Sequence, residues 1–344
     1  MSDHPYRDLP QRNFWKRAVG DRHIADLADL WVPIALERSD RIATAGSCFA
    51  QHIGRQLSAR GAAFMDCETA PEVFVSEEEA RRFGFGVYSC RYGNIYTSRQ
   101  LIQLFEECFG RRSPADGVWE RNGRFFDALR PSVDPVGQDS AETVARLRER
   151  HLAAVRRMFE TLDLFVFTLG LTETWESRAD GTAYPSAPGA IAGRYDPQAH
   201  VFRNLRYPEI MADLTAFIAG LKQVNPGARV LFTVSPVPLV ATASEDHVLP
   251  ATLYSKSVLR AVAGDLAADH EHVGYFPSYE IVAGHPSRAM FFDPDLRNVN
   301  LFGVQSVMRQ FFVGDLAKQF PEPGRAVADE DGEMICDEEA LDRE

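Results

Sequence analysis

The sequence has little with which to build covalent cross-links, membrane spans or a face for polyanions. Its five cysteines, at 48, 67, 90, 108 and 336, are odd in number and contain no Cys-x-x-Cys pair. That excludes a disulfide framework and a zinc ribbon and fits thiols kept reduced. No apolar run approaches the roughly 20 residues of a spanning helix, and the opening MSDHPYRDLPQRNFWKR carries no apolar leader segment. Basic charge is in deficit, 37 Lys and Arg against 49 Asp and Glu for a net charge of −12, which argues against a phosphate backbone as partner. GxGxxG, GxxxxGK(S/T) and HExxH are all missing, so neither a nucleotide loop nor a metalloprotease helix is expected. His270 and His272, on either side of Glu271, read as solvent-facing residues of a helix end rather than ligands. The expectation is a protein of a bacterial-type cytoplasm with no cofactor, no metal, and neither nucleic acid nor membrane as partner.

What is present is the patterning of a soluble α/β protein. The 344 residues, 45% apolar and 25% charged, suffice for one large domain or two ordinary ones with a sizeable core. The stretch Arg41 to Gly54, RIATAGSCFAQHIG, organises the rest. It reads as a short strand, a tight Ala45-Gly46 turn, and Ser47-Cys48 ahead of Phe49, Ile53 and Leu57 at helical spacing. A strand that hands two nucleophile-capable side chains to a helix N-terminus sets them where unpaired N–H groups stabilise negative charge. The same pattern also describes a Ser47 that only caps the helix and a Cys48 that is simply a small buried residue.

Gly61 closes that helix, and a strand near 63–66 completes the opening of a βαβ unit. An acidic, loop-like stretch over 71–87 leads to an amphipathic helix bearing Leu101, Leu104, Phe105 and Cys108, and Asn122-Gly123 marks a hairpin between Trp119 and Phe126. A long helix over 141–162 follows, whose His151 reads as a packed or surface-facing residue rather than a ligand. The runs 164–169 and 230–234 are near-continuously apolar, as strands covered on both faces require. Each ends in a special turn, Gly170-Leu171-Thr172-Glu173 after the first and Ser235-Pro236-Val237-Pro238 after the second. Open α/β sheets bind ligands at such carboxyl ends. A hairpin-like insertion around Asp180-Gly181, helices over 208–223, 251–268 and 299–317, and a short strand over 274–276 complete the alternation. The expected fold class is α/β, a three-layer sandwich with a mostly parallel central sheet and small hairpin insertions. Residues 1–39 read as an arm packed on the domain and 40–320 as the domain itself. Residues 321–344, with ten acidic and two basic side chains, read as a disordered tail.

Gly46-Ser47-Cys48-Phe49-Ala50 spells the signature of the GSCFA family. Tyr92-Gly93-Asn94-Ile95-Tyr96, residues 168–175 (TLGLTETW), 233–238 (TVSPVP), Ser255-Lys256 and 275–281 (YFPSYEI) resemble its later blocks. In plan that family is similar to the SGNH or GDSL-like hydrolases. The resemblance implies an SGNH-hydrolase-like fold and a serine esterase or O-acyltransferase acting on an acylated carbohydrate or similar small-molecule or glycan ester. Such chemistry needs a nucleophile, a base and donors for the oxyanion. By resemblance Ser47 is the nucleophile and its own N–H one donor; Gly93 and Asn94 supply the second block. Thr172, beside Glu173, stands where the third block usually has asparagine.

The chain departs from that pattern near its carboxyl end. Where the hydrolases have Asp-x-x-His it reads Asp295-Leu296-Arg297-Asn298, and asparagine has no titratable nitrogen with which to act as base. Three readings stay open. Another histidine serves, His247 beyond the 235–238 turn or His285 in Gly284-His285-Pro286, with Asp295 orienting it. Alternatively Cys48 is the nucleophile, since a thiolate at a helix N-terminus needs a weaker base. In the third, the site binds a carbohydrate, acyl carrier or protein without turning it over.

Overall fold

A computed structural model describes residues 4–27, 29–322 and 341; nearly all of the acidic tail lies outside them. In chain order the elements are β1 (Arg41–Gly46), α1 (Ala50–Ala59), β2 (Ala63–Phe64), α2 (Glu77–Arg82), α3 (Ser98–Cys108), β3 (Val118–Arg121) and β4 (Arg124–Asp127). There follow α4 (Ala141–Thr161), β5 (Leu164–Leu169), β6 (Glu173–Ser177), β7 (Ala183–Tyr184), β8 (His200–Asn204) and α5 (Tyr207–Val224). The last are β9 (Arg229–Val234), α6 (Val248–Asp269), β10 (Val273–Phe276), α7 (Ser278–Ala283), α8 (Leu301–Phe311) and α9 (Asp315–Gln319). Among the described residues no helix is long and apolar enough to cross a membrane.

Five strands form the central sheet in the order β10-β9-β5-β1-β2, every neighbouring pair parallel. The apolar run of β5 explains why helices cover both faces. Phe165, Phe167 and Leu169 point into one cluster with α3, α4, α5 and α6, while Leu164 and Val166 point into the other with α1, α7 and α8. Trp31 of the N-terminal arm is buried in the second cluster and donates its indole N–H to the Gln310 carbonyl at 2.7 Å. The strand order reverses between β1 and β5: from β1 the chain steps outward to β2, then returns to the far side of β1 to build β5, β9 and β10. Such a switch point opens a crevice beyond the carboxyl ends of the two strands.

Two small sheets decorate this frame. The Asn122-Gly123 hairpin forms as expected, with both residues at positive φ, 53° and 74°. The second insertion is larger than a hairpin: β6 pairs with both β7 and β8 in an antiparallel three-stranded sheet. The helix expected over 299–317 is broken into α8 and α9 at Gly314, whose φ of 59° a helix interior does not tolerate.

Candidate active site

β1 ends in a glycine because nothing else fits. Gly46 has φ of 131°, and a Cβ placed there would lie 2.4 Å from the Thr168 carbonyl oxygen of β5. This close approach of the two strand ends sets Ser47 at the switch point, and the first turn leading into α1 follows, with Ala50 N on Ser47 O at 2.9 Å. Across the crevice Gly170 has the matching role: a Cβ on it would lie 3.0 Å from Ser47 Cβ and 3.2 Å from the Tyr96 ring. Two bare Cα positions thus leave room for one serine side chain. Ser47 is 3% exposed, and its Oγ makes no hydrogen bond. Thr44 Oγ1 and Thr168 Oγ1, on the same two strands, are also buried without a partner.

Around this hydroxyl the backbone is tightly held. Tyr88 Oη lies 3.2 Å from Ser47 O and within hydrogen-bond reach of Asn94 Oδ1, and it accepts from Gln51 Nε2 at 3.3 Å. Tyr96 O accepts from both Gly170 N and Leu171 N. Ser255 Oγ accepts from Thr172 N at 3.0 Å, and Lys256 Nζ, on a side chain 1% exposed, donates to Gly170 O at 2.7 Å. Tyr96, Leu171, Leu239 and Ala251 form an apolar cap over the strand ends. The loop carrying Leu239 is latched by Glu173, whose carboxylate accepts from Thr242 Oγ1 at 2.6 Å and Ala243 N at 3.4 Å. Burial raises the Glu173 pKa against the pull of those donors.

Several expected roles meet different surroundings. Ser47 N donates to Thr168 O at 3.0 Å, so it is spent on extending the β1–β5 ladder rather than left for an oxyanion. Thr172 is likewise committed, since its N–H goes to Ser255 and its hydroxyl to Asn204 Oδ1 at 2.7 Å. Gly93 turns at φ of 66° with its Cα toward Val133 and Ser132, while Asn94 beside it joins the Tyr88 network. Cys48 points into the apolar cluster of Phe49, Ile53 and Phe291.

Among the described residues no base lies within hydrogen-bond distance of Ser47 Oγ. His247 is exposed at the start of α6, where its Nδ1 accepts from Leu249 N at 3.1 Å; the ring is occupied as a helix cap. His285 is exposed and stacks on Trp15 at 5.2 Å. Asp295 is exposed too, its Oδ1 accepting from the Arg297 and Asn298 amides and its Oδ2 from Asn298 Nδ2 at 2.7 Å. The segment that would hold the hydrolase histidine is therefore a turn closed upon itself.

The sequence reading passed over Tyr88, Gln51, His52 and the pair Ser255-Lys256 as actors. His52 is buried on α1 with Nε2 unpartnered, and burial together with the nearby Arg55 guanidinium lowers its pKa to about 3. Of these, only Ser255-Lys256 had been marked in the sequence, as a stretch resembling one of the family's blocks. Compared with known families, the chain matches the GSCFA family over residues 41–311. No curated protein matches it.

Proposed function

Since the chain belongs to the GSCFA family, we propose that it transfers acyl groups through Ser47, as a serine esterase or O-acyltransferase acting on an acylated carbohydrate or similar ester. One observation carries this reading: a buried, unpartnered hydroxyl held at the switch point of a parallel sheet between Gly46, where a Cβ would meet Thr168 O at 2.4 Å, and Gly170, where one would crowd Ser47 Cβ at 3.0 Å. An unsatisfied buried hydroxyl costs about 1–3 kcal/mol, and such a cost is retained where a group must be ready for another partner. The reaction would begin with attack of Ser47 Oγ on the ester carbonyl once the cap of Tyr96, Leu171 and Leu239 has moved aside.

The test is labelling of the intact protein with a fluorophosphonate, together with hydrolysis of short p-nitrophenyl esters. Ser47→Ala is expected to lose both, while Cys48→Ala keeps them because Cys48 faces the apolar cluster. Loss in Cys48→Ala alone would move the nucleophile to the thiol. A second reading, a module that binds a carbohydrate, acyl carrier or protein without chemistry, draws on the engaged N–H groups of Ser47 and Thr172. Absence of labelling and turnover in a folded wild type would favour it.

A further inference from the structure

Ser47 needs a proton acceptor, and the segments that usually provide one are turned to other tasks. Lys256 is a buried amine one residue removed from Ser47, through Gly170. Its Nζ lies on the Gly170 carbonyl, and Gly170 is the residue whose Cα faces Ser47 Cβ. The preceding Ser255 holds the Thr172 amide, so α6 grips both sides of the turn that ends β5. A lysine buried to this degree in a helix that otherwise packs Leu259, Val262 and Ala263 into the core is costly to keep.

We propose that Lys256 is the general base for Ser47, in place of the missing histidine; this rests on the acyl-transfer reading above. Burial disfavours the charged form of an amine, and the role requires the neutral form, in which the nitrogen can take up the serine proton. Ser47 Oγ bonds to the ester carbonyl carbon as its proton passes to Lys256 Nζ. The tetrahedral adduct then breaks its carbon–alkoxy bond, and the Nζ proton moves to the departing alkoxide, leaving acyl-Ser47 and a neutral amine. Water or an acceptor hydroxyl attacks next, gives its proton to Nζ, and Ser47 leaves with that proton. His52 is the weaker candidate, because a ring with a pKa of about 3 has little affinity for a proton.

The experiment follows acylation of the full-length protein by p-nitrophenyl acetate, through the burst of nitrophenolate and the mass of the acyl-enzyme. Lys256→Arg keeps an N–H donor for Gly170 O but cannot accept a proton, whereas Lys256→Ala opens space for an added amine. Both are expected to lose about 10²–10⁴ in acylation rate, and methylamine or ethylamine should restore part of the rate to Lys256→Ala. A structural role predicts instead that Lys256→Arg stays active and that no amine rescues Lys256→Ala; either result overturns the proposal. So does a loss on His52→Gln with Lys256→Arg unaffected. If wild type and Ser47→Ala are equally inert, it is the acyl-transfer reading that fails, and the inference with it. Acylation that depends on Ser47 but not on Lys256 removes the inference alone.

Discussion

Two buried polar clusters in this protein are built to opposite rules. Beside α4, Asp127 accepts from Arg130 Nε at 2.7 Å, Arg148 Nη1 at 3.2 Å and Leu129 N at 3.0 Å, and Arg148 reaches on to Glu107 at 2.7 Å. His151 Nδ1 lies 2.6 Å from Glu68, which also accepts from Arg91 N at 2.7 Å. Nearly every charge there has its partner; the exception, His151 Nε2, borders a small cavity lined by Tyr92, Gln100 and Arg112. At the switch point the ordering is reversed. The amides of Ser47, Gly170, Leu171 and Thr172 are all bonded, yet the hydroxyls of Thr44, Ser47 and Thr168 are left without partners among the described residues. The first cluster ties α3, α4 and β4 together and holds shape. Under the proposed function, the second would hold a reactive group in readiness at a cost in stability.

The sharpest way to test that contrast is to remove one group from each cluster. Ser47→Ala is expected to lower kcat/KM on p-nitrophenyl esters by about 10⁴ or more, while its unfolding free energy in urea stays level or rises by about 0.5–2 kcal/mol. A clearly destabilised Ser47→Ala protein would show that the serine is structural. Next in size, Asp127→Ala strands Arg130 and Arg148 and is expected to cost about 3–5 kcal/mol. Ester turnover per folded molecule should be unchanged, and a loss confined to turnover would dissolve the distinction.

Acid should act on the scaffold in a defined order. Burial, aided by the nearby Arg130 charge, lowers the His151 pKa from 6.5 to about 4 in the folded protein, despite the favourable contact with Glu68. The unfolded chain therefore takes up a proton that the folded one refuses, and stability is lost as pH falls from about 6.5 towards 4. Burial would raise Glu68, but the hydrogen bond and charge of His151, with help from Arg130, hold it at about 2. Its contribution is present above the unfolded value of 4.5 and fades between there and about 2. Melting temperatures measured from pH 7 to 3 should thus fall throughout, and His151→Gln should flatten the upper part of that decline. A wild-type curve level down to pH 4 would contradict the assignment. The smallest expected effect belongs to Asn298→His, which alters an exposed turn at about 0.5–1.5 kcal/mol and adds no ester turnover. A gain of tenfold or more would mean that this turn reaches Ser47 after all.

Much of the frame could be read from local pattern. The doubly apolar run of β5, the helical spacing of Phe49, Ile53 and Leu57, and Asn122-Gly123 each declare their structure over a few residues, because covered strands, amphipathic helices and primed turns have short-range signatures. The 299–317 helix was drawn too long because apolar spacing continues across Gly314 while the backbone does not. Of the site, the place of Ser47 was legible and its surroundings were not. The fate of the Ser47 N–H depends on Thr168, and the fate of Thr172 on Ser255 and Asn204, partners that sequence spacing does not relate.

By itself, then, the sequence determined the family, the layered α/β class and the strand-to-helix passage through Ser47, since each is written in composition, periodicity or a contiguous motif, although β1 runs on through the Ala45-Gly46 pair expected to turn. Tertiary structure alone decided which polar groups are satisfied. It spent the Ser47 amide on β5, closed Asp295 and Asn298 on each other, sent His247 to cap α6, and brought Lys256 from far along the chain to the glycine that faces Ser47. The physical reason is that a hydrogen bond forms over about 3 Å in space, and only the folded sheet, with its order reversed between β1 and β5, sets those distances.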